Sequence, residues 1–232
     1  MVGAAATHQP ALLWAIIAID APISHTLVTS MLARHRDGQR GAANERLGIP
    51  HQLGRGLALH LLALATSGPW TIATDERGKP IAVGGVERQI SISHTGSFVA
   101  AAVSAIGPVG IDIERRDRSR DVVSLATAAF GRAEAAEVAV EGATAFYRIW
   151  TLREAISKAT GAGFPAAVDR IDRVPARMTN GIWVEGDGNW LMAHDVLDED
   201  TSLAIAIQSN SDHVTAAMRE TNIASSRIKI ER

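Results

Sequence analysis

Apolar residues return at helical spacing from Gln52 to Thr66, where Leu53, Leu57, Leu61 and Ala65 stand four apart with Ala58 and Leu62 beside them. That period predicts a helix with one buried face, and Ser24 to Arg36 predicts another. Upstream, Trp14 to Ile19 is continuously apolar and reads as a buried first strand. From Gln89 the period falls to two. Ile90 and Ile92 alternate with Ser91 and Ser93, His94-Thr95-Gly96 breaks the run, and Phe98 to Val103 is extended and apolar, which predicts a hairpin-like pair of strands. Val109-Gly110-Ile111-Asp112-Ile113-Glu114 alternates again and is expected as a third strand of that meander, with Gly110, Asp112 and Glu114 on the face opposite Val109, Ile111 and Ile113.

Further along, a helix is expected from Asp121 through Phe130, burying Val122, Leu125, Ala126 and Ala129. A longer one runs from about Ala143 through Ala159 and stops at Gly161-Ala162-Gly163-Phe164-Pro165. Gly181 to Trp190 and Leu203 to Ile207 alternate like two or three strands, and Arg219 to Arg232 is polar. Asp37 to Gly48 and Asp75 to Pro80 read as surface loops, and Gly107-Pro108 is the candidate midpoint.

Composition narrows the classes. With 232 residues, 47% of them apolar, the chain can build a packed core. It has no cysteine, so disulfide scaffolds, thiolate metal sites and a cysteine nucleophile are excluded, and a cytoplasmic, reducing setting is compatible. The balance of 23 basic to 25 acidic residues and the scarcity of aromatics argue against a nucleic-acid partner. The apolar run Ala11 to Ile19 is too short for a bilayer, and no Lys or Arg precedes Arg34, so neither a membrane span nor a signal peptide is expected.

Candidate chemistry gathers in three places. Asp112 and Glu114 are two apart on an expected strand, so both carboxylates can converge on one ion while Ile111 and Ile113 anchor the other face. Oxygen ligands alone suit Mg2+. The competing reading is a half-exposed strand with two acids on its wet side. Trp150, Glu154 and Lys158 stand four apart along one helix ridge, which could serve a common site or form only a surface pair worth about 0.2–0.5 kcal/mol. Ser93-His94-Thr95 sets a histidine among hydroxyls at a strand end. Arg115, Arg116, Arg118 and Arg120 read as a solvated loop or as a steering patch for an acidic partner.

In order, Gly78-Lys79-Pro80, Ile92-Ser93-His94-Thr95, Val109 to Glu114, and Trp150-Thr151-Leu152-Arg153-Glu154-Ala155-Ile156-Ser157-Lys158 resemble the 4'-phosphopantetheinyl transferase superfamily over about residues 46 to 165. The Phe130…Glu134 pair is similar to the family's intervening Phe-x-x-x-Glu. The length resembles the surfactin-synthetase-activating branch. That resemblance implies an α/β (α+β) monomer of two similar halves related by a pseudo-two-fold, 1–106 and 107–232, each a small, mostly antiparallel sheet packed with helices, with the active site at their interface.

The resemblance also implies transfer of the phosphopantetheine arm of coenzyme A to a serine of an apo acyl or peptidyl carrier protein, releasing adenosine 3',5'-bisphosphate. Asp112, Glu114 and Glu154 would hold Mg2+. Glu154, or Glu114 through a water, would take the serine proton. Lys158 would neutralise the leaving phosphate, and Lys79 and His94 would bind coenzyme A phosphates, with Arg46 and Arg55 as candidates for the 3'-phosphate. One departure is Arg153 where the family commonly has Lys, a planar fork for a point charge. The alternatives are a Mg2+-dependent phosphohydrolase, which leaves the ordered basic motifs without a role, and a catalytically weak relative that only binds carriers.

Overall fold

The computed structural model describes residues 10–22, 26, 48–164, 171–175, 182–186 and 188–209. All but Thr26 of the expected helix at Ser24 to Arg36, most of the Asp37 to Gly48 loop, Arg46 and the polar tail lie outside the described residues.

Strands β1 (Leu12–Ala18), β4 (Gln89–Thr95) and β5 (Phe98–Ser104) form an antiparallel sheet in the order β1-β5-β4. A second antiparallel sheet runs β6-β9-β8-β7, from β6 (Val109–Arg115), β7 (Ile182–Gly186), β8 (Gly188–Asp198) and β9 (Thr201–Ser209). A hairpin of β2 (Trp70–Thr74) and β3 (Pro80–Gly84) forms a sheet of its own and packs Trp70, Ile72 and Ala82 into the core with the leucines of 49–65. Helix α1 (Ile49–Ala65) packs on the first sheet, and α2 (Val122–Ala129), α3 (Arg132–Glu141) and α4 (Ala143–Thr160) gather beside the second.

Strand alternation turns these elements into layers. On β1 and β5, Leu13, Ala15, Ile17, Val99, Ala101 and Val103 face Leu53, Leu57 and Leu61 of α1. Their neighbours Leu12, Trp14, Ala100 and Ala102 face Ile111, Ile113, Leu203 and Ile205 of the second sheet. On that sheet's far side, Trp190, Met192, Ala204 and Ala206 meet Phe146, Ile149, Leu152 and Ile156 of α4. The result is helix, sheet, sheet, helix, a mixed α/β fold of small antiparallel sheets.

The expected three-strand meander is corrected. β6 leaves the β4–β5 hairpin and pairs with β9, placing Gly110 opposite Ala206 and Asp112 opposite Ala204. Those small residues leave room for α4. A Cβ added at Gly110 would lie 1.7 Å from the Ala155 carbonyl oxygen, so only glycine admits the helix this close. The face that carries Gly110 and Asp112 is therefore buried rather than wet, with Asp112 only 3% exposed.

Edge strands β4 and β6 meet through side chains. Ile111, Ile113 and Arg115 donate their backbone N–H groups to Ser91 Oγ (3.0 Å), Ser93 Oγ (3.3 Å) and Thr95 Oγ1 (3.1 Å). Hydroxyls two apart on β4 thus satisfy donors that a buried edge would otherwise leave orphaned.

Three smaller differences complete the picture. The β2–β3 hairpin and α3 carry no clear apolar period and were not expected; α3 buries only Glu134 and Val138. Helix α2 buries Ala126 alone and leaves Leu125 exposed.

Candidate active site

One cleft of about 460 Å³ opens where the two sheets meet, lined among others by Arg55, His94, Asp112, Glu114, Glu154 and Lys158. Each side chain arrives by a local rule. Asp112 and Glu114 share the α4-facing side of β6. Glu154 and Lys158 lie one turn apart on α4, brought against β6 at Gly110. His51 and Arg55 lie one turn apart on α1, and His94 is the penultimate residue of β4.

Lys158 does not pair along its helix with Glu154. Its Nζ crosses to Asp112 Oδ1 at 2.6 Å and donates to Ser93 Oγ at 2.7 Å. The Ser93 hydroxyl donates to the same Asp112 Oδ1 at 2.9 Å. The plain i,i+4 surface pair is thereby replaced by a contact that ties α4, β6 and β4 together.

The other carboxylates are crowded. Burial first, then the negative charge of Asp112, pushes Glu114 up to about 7, with Glu154 adding to the rise and Lys158 and Arg120 opposing it. Glu154 is also raised, by burial and by Asp112, against the pull of Lys158. Asp112 Oδ2 is buried without a hydrogen-bond partner. Among the described residues no three His, Asp or Glu side chains already stand in a coordination shell. An orphaned buried oxygen among mutually repelling carboxylates nonetheless fits a hard divalent cation, which would satisfy the one and relieve the other.

The opposite wall is basic. Arg55 donates to the Ile72 carbonyl at 2.9 Å and to Thr74 Oγ1 at 2.8 Å, and burial lowers its pKa. His94 meets the His51 ring edge to face with centroids 4.7 Å apart. Lost hydration, then His51 and Lys158, hold His94 below the usual histidine range.

Three residues of the expected motifs sit outside the cleft. Lys79 lines neighbouring cavities, and its Nζ donates to the Ala159 carbonyl near the end of α4 at 2.6 Å. Burial lowers its pKa while Asp75 opposes the shift. Trp150 stacks on Phe164 and Phe146 rather than lining the cleft. Arg153, one residue before Glu154, points away from the cleft and is fully buried. It pairs with the equally buried Glu134 at 2.7 Å and donates to the Ile171 carbonyl at 2.6 Å. Glu134 also accepts from the Val174 N–H at 2.8 Å. The position gives α4 an anchor, not a phosphate contact.

His51 and the bridging role of Ser93 were not foreseen. The i,i+4 spacing of His51 and Arg55 was a readable signal, as was a glycine inside a strand at Gly110.

The comparison with known families covers the strand and the helix that carry these carboxylates. Residues 108–208 match the model of the 4'-phosphopantetheinyl transferase superfamily. Two curated relatives, from Salmonella typhi and Salmonella typhimurium, are both called 4'-phosphopantetheinyl transferase AcpT; each is 40% identical over 108 residues, covering 44% of this chain. The match spans about half, 55%, of the length of each relative.

Proposed function

We propose that the chain transfers the 4'-phosphopantetheine arm of coenzyme A to a serine hydroxyl of an apo acyl or peptidyl carrier protein, using Mg2+ at Asp112, Glu114 and Glu154. The observation that carries this reading is the single cleft in which those carboxylates and Lys158 face Arg55 and His94. The superfamily match covers β6 and α4, the elements of the acidic wall.

The serine oxygen forms a bond to the phosphorus bearing pantetheine, and the bond from that phosphorus to the bridging oxygen breaks. Adenosine 3',5'-bisphosphate leaves. A Mg2+ ion would supply neutralisation of pyrophosphate charge. Glu154 takes the serine proton, a role its raised proton affinity suits, and Glu114 is the second candidate. Lys158 meets charge developing on the leaving phosphate. Arg55 and His94 bind coenzyme A phosphates, with Lys79 beside the cleft and Arg46 retained on the family resemblance.

Both walls come from one chain, which supports the two-half, surfactin-synthetase-activating type acting as a monomer, with halves 1–106 and 107–232. Among the described residues no helix is long and apolar enough to cross a membrane; cytoplasmic residence is part of the reading.

The test is the intact mass of apo-carriers after incubation with coenzyme A and Mg2+. One phosphopantetheine should be added, and Glu154→Gln or Asp112→Asn should abolish the gain. Undiminished transfer in excess chelator would remove the metal assignment. Carrier binding without modification of any carrier class would favour the catalytically weak, binding-only relative.

A further inference from the structure

Lys158 holds an unusual place for a group meant to meet phosphate. Its ammonium is committed to Asp112 Oδ1 and Ser93 Oγ, and its side chain is only 30% exposed. The Ser93 hydroxyl is fully used: it donates to Asp112 and accepts from Lys158 and from the Ile113 N–H. Asp112 is thus gripped from β4 and from α4, one oxygen shared by two donors and the other buried without a partner. We propose that Lys158 is the built-in counter-ion of the ion-free site, so that its ammonium and a divalent cation compete for Asp112. Loading the site then frees Lys158 towards the substrate.

The argument is one of charge. A buried carboxylate is stable only when paired, and an ammonium 2.6 Å away supplies that pairing. A dication on the same carboxylate meets that ammonium at short range in a medium of low dielectric, where like charges repel strongly. One of the two must withdraw. Lys158 sits on a flexible four-carbon stem and is the group that can move. Ser93, from the basic side of the cleft, is the positioning residue that aims the ammonium.

This inference rests on the reading of Asp112, Glu114 and Glu154 as a divalent-ion site, and its test uses neither coenzyme A nor carrier. The full chain is titrated calorimetrically with Mg2+ or Mn2+ alongside Lys158→Met and Lys158→Gln, the second keeping a donor for Asp112. Both variants should bind the ion more tightly, by about tenfold or more. Independently, labelling of Lys158 by acetic anhydride, read by peptide mass spectrometry, should rise when Mg2+ is added to the parent protein and fall short of that rise in Ser93→Ala. Equal or weaker ion binding in the folded variants, or labelling of Lys158 that ignores Mg2+, would overturn the counter-ion role and leave the transferase reading standing. No ion binding by parent or variants would remove both the metal assignment and this inference.

Discussion

Two helices flank the cleft, and each presents a pair of side chains one turn apart. From α1 come His51 and Arg55; from α4 come Glu154 and Lys158. Beneath them, β4 offers hydroxyls at Ser91, Ser93 and Thr95 where β6 offers carboxylates at Asp112 and Glu114. The scaffolding of the two sides is alike, a helix laid on an antiparallel sheet through a glycine contact. Their charge is opposite. The difference teaches that one supersecondary plan has been decorated twice, once with basic side chains and once with acidic ones, and that the cleft's electrostatics arise from the pairing.

The glycine contacts provide the sharpest way to break the symmetry. At Gly110 a methyl group would strike backbone, the Ala155 carbonyl and the Ala159 N–H, at 1.7 and 2.8 Å. At Gly54 it would meet Ile92 Cγ2 at 2.4 Å, a side-chain atom able to shift. Overpacking costs about 1–3 kcal/mol where side chains yield, and more where they cannot. Gly110→Ala should therefore lower thermal stability well beyond Gly54→Ala and should also displace Glu154 and Lys158, losing transfer. Similar melting temperatures for the two variants would show that α4 is no more tightly seated than α1.

Next in size is the anchor behind α4. Resemblance to the family makes Arg153→Lys look harmless, since lysine is the commoner residue there. The buried fork to Glu134 and the Ile171 carbonyl makes it costly: a lysine cannot hold both partners, and a stranded buried acceptor costs about 1–3 kcal/mol. Chemical denaturation should register that loss while transfer at low temperature persists, because Arg153 lies outside the cleft. Loss of activity without loss of stability would return the side chain to the substrate.

How far the sequence was readable follows the same division. Long apolar periods announced α1 and α4, alternation announced β4 and β6, and an extended apolar run announced β5. The partner of β6 was not legible, because alternation places a strand's faces but not its neighbour. That Asp112 is buried was hidden for the same reason: a polar face reads as wet until a helix is seen to cover it, and Gly110 was the hint. Helix α3 failed to show because its inward positions are Val138 and a glutamate, Glu134, which makes sense only once Arg153 is its partner. The ordered motifs carried the cleft residues through the family resemblance, whereas His51 and the Ser93 bridge needed three dimensions.

The seam between the sheets should respond in a graded way. Ser91→Ala leaves the Ile111 N–H buried without an acceptor and should cost about 1 kcal/mol or more. Thr95→Ala affects Arg115, whose exposed N–H can turn to water, and should cost less. Urea midpoints of the two variants give the comparison, and equal costs would mean that the seam is solvated along its whole length.

The smallest effect separates the two walls by the sign of their pH dependence. Burial, then the charge of Asp112, pushes Glu114 up to about 7 in the folded chain from an ordinary 4.5, so between those values the folded state holds a proton that the unfolded state has released. Stability contributed by this group falls as pH rises through that window. His94 does the reverse. Its folded pKa lies below the usual 6.5, so just below that pH the unfolded chain takes up the proton first, and stability falls as pH drops. Melting temperatures across pH 5 to 8, measured in chelator, should rise at the alkaline end for Glu114→Gln and at the acid end for His94→Gln, the latter less because the ring is nearer solvent. Divalent ion should reproduce the Glu114→Gln gain in the parent protein and leave the acid limb unchanged. Parallel profiles for parent and both variants would mean that the two walls do not differ electrostatically, and the opposition between an anion side and a cation side would have to be given up.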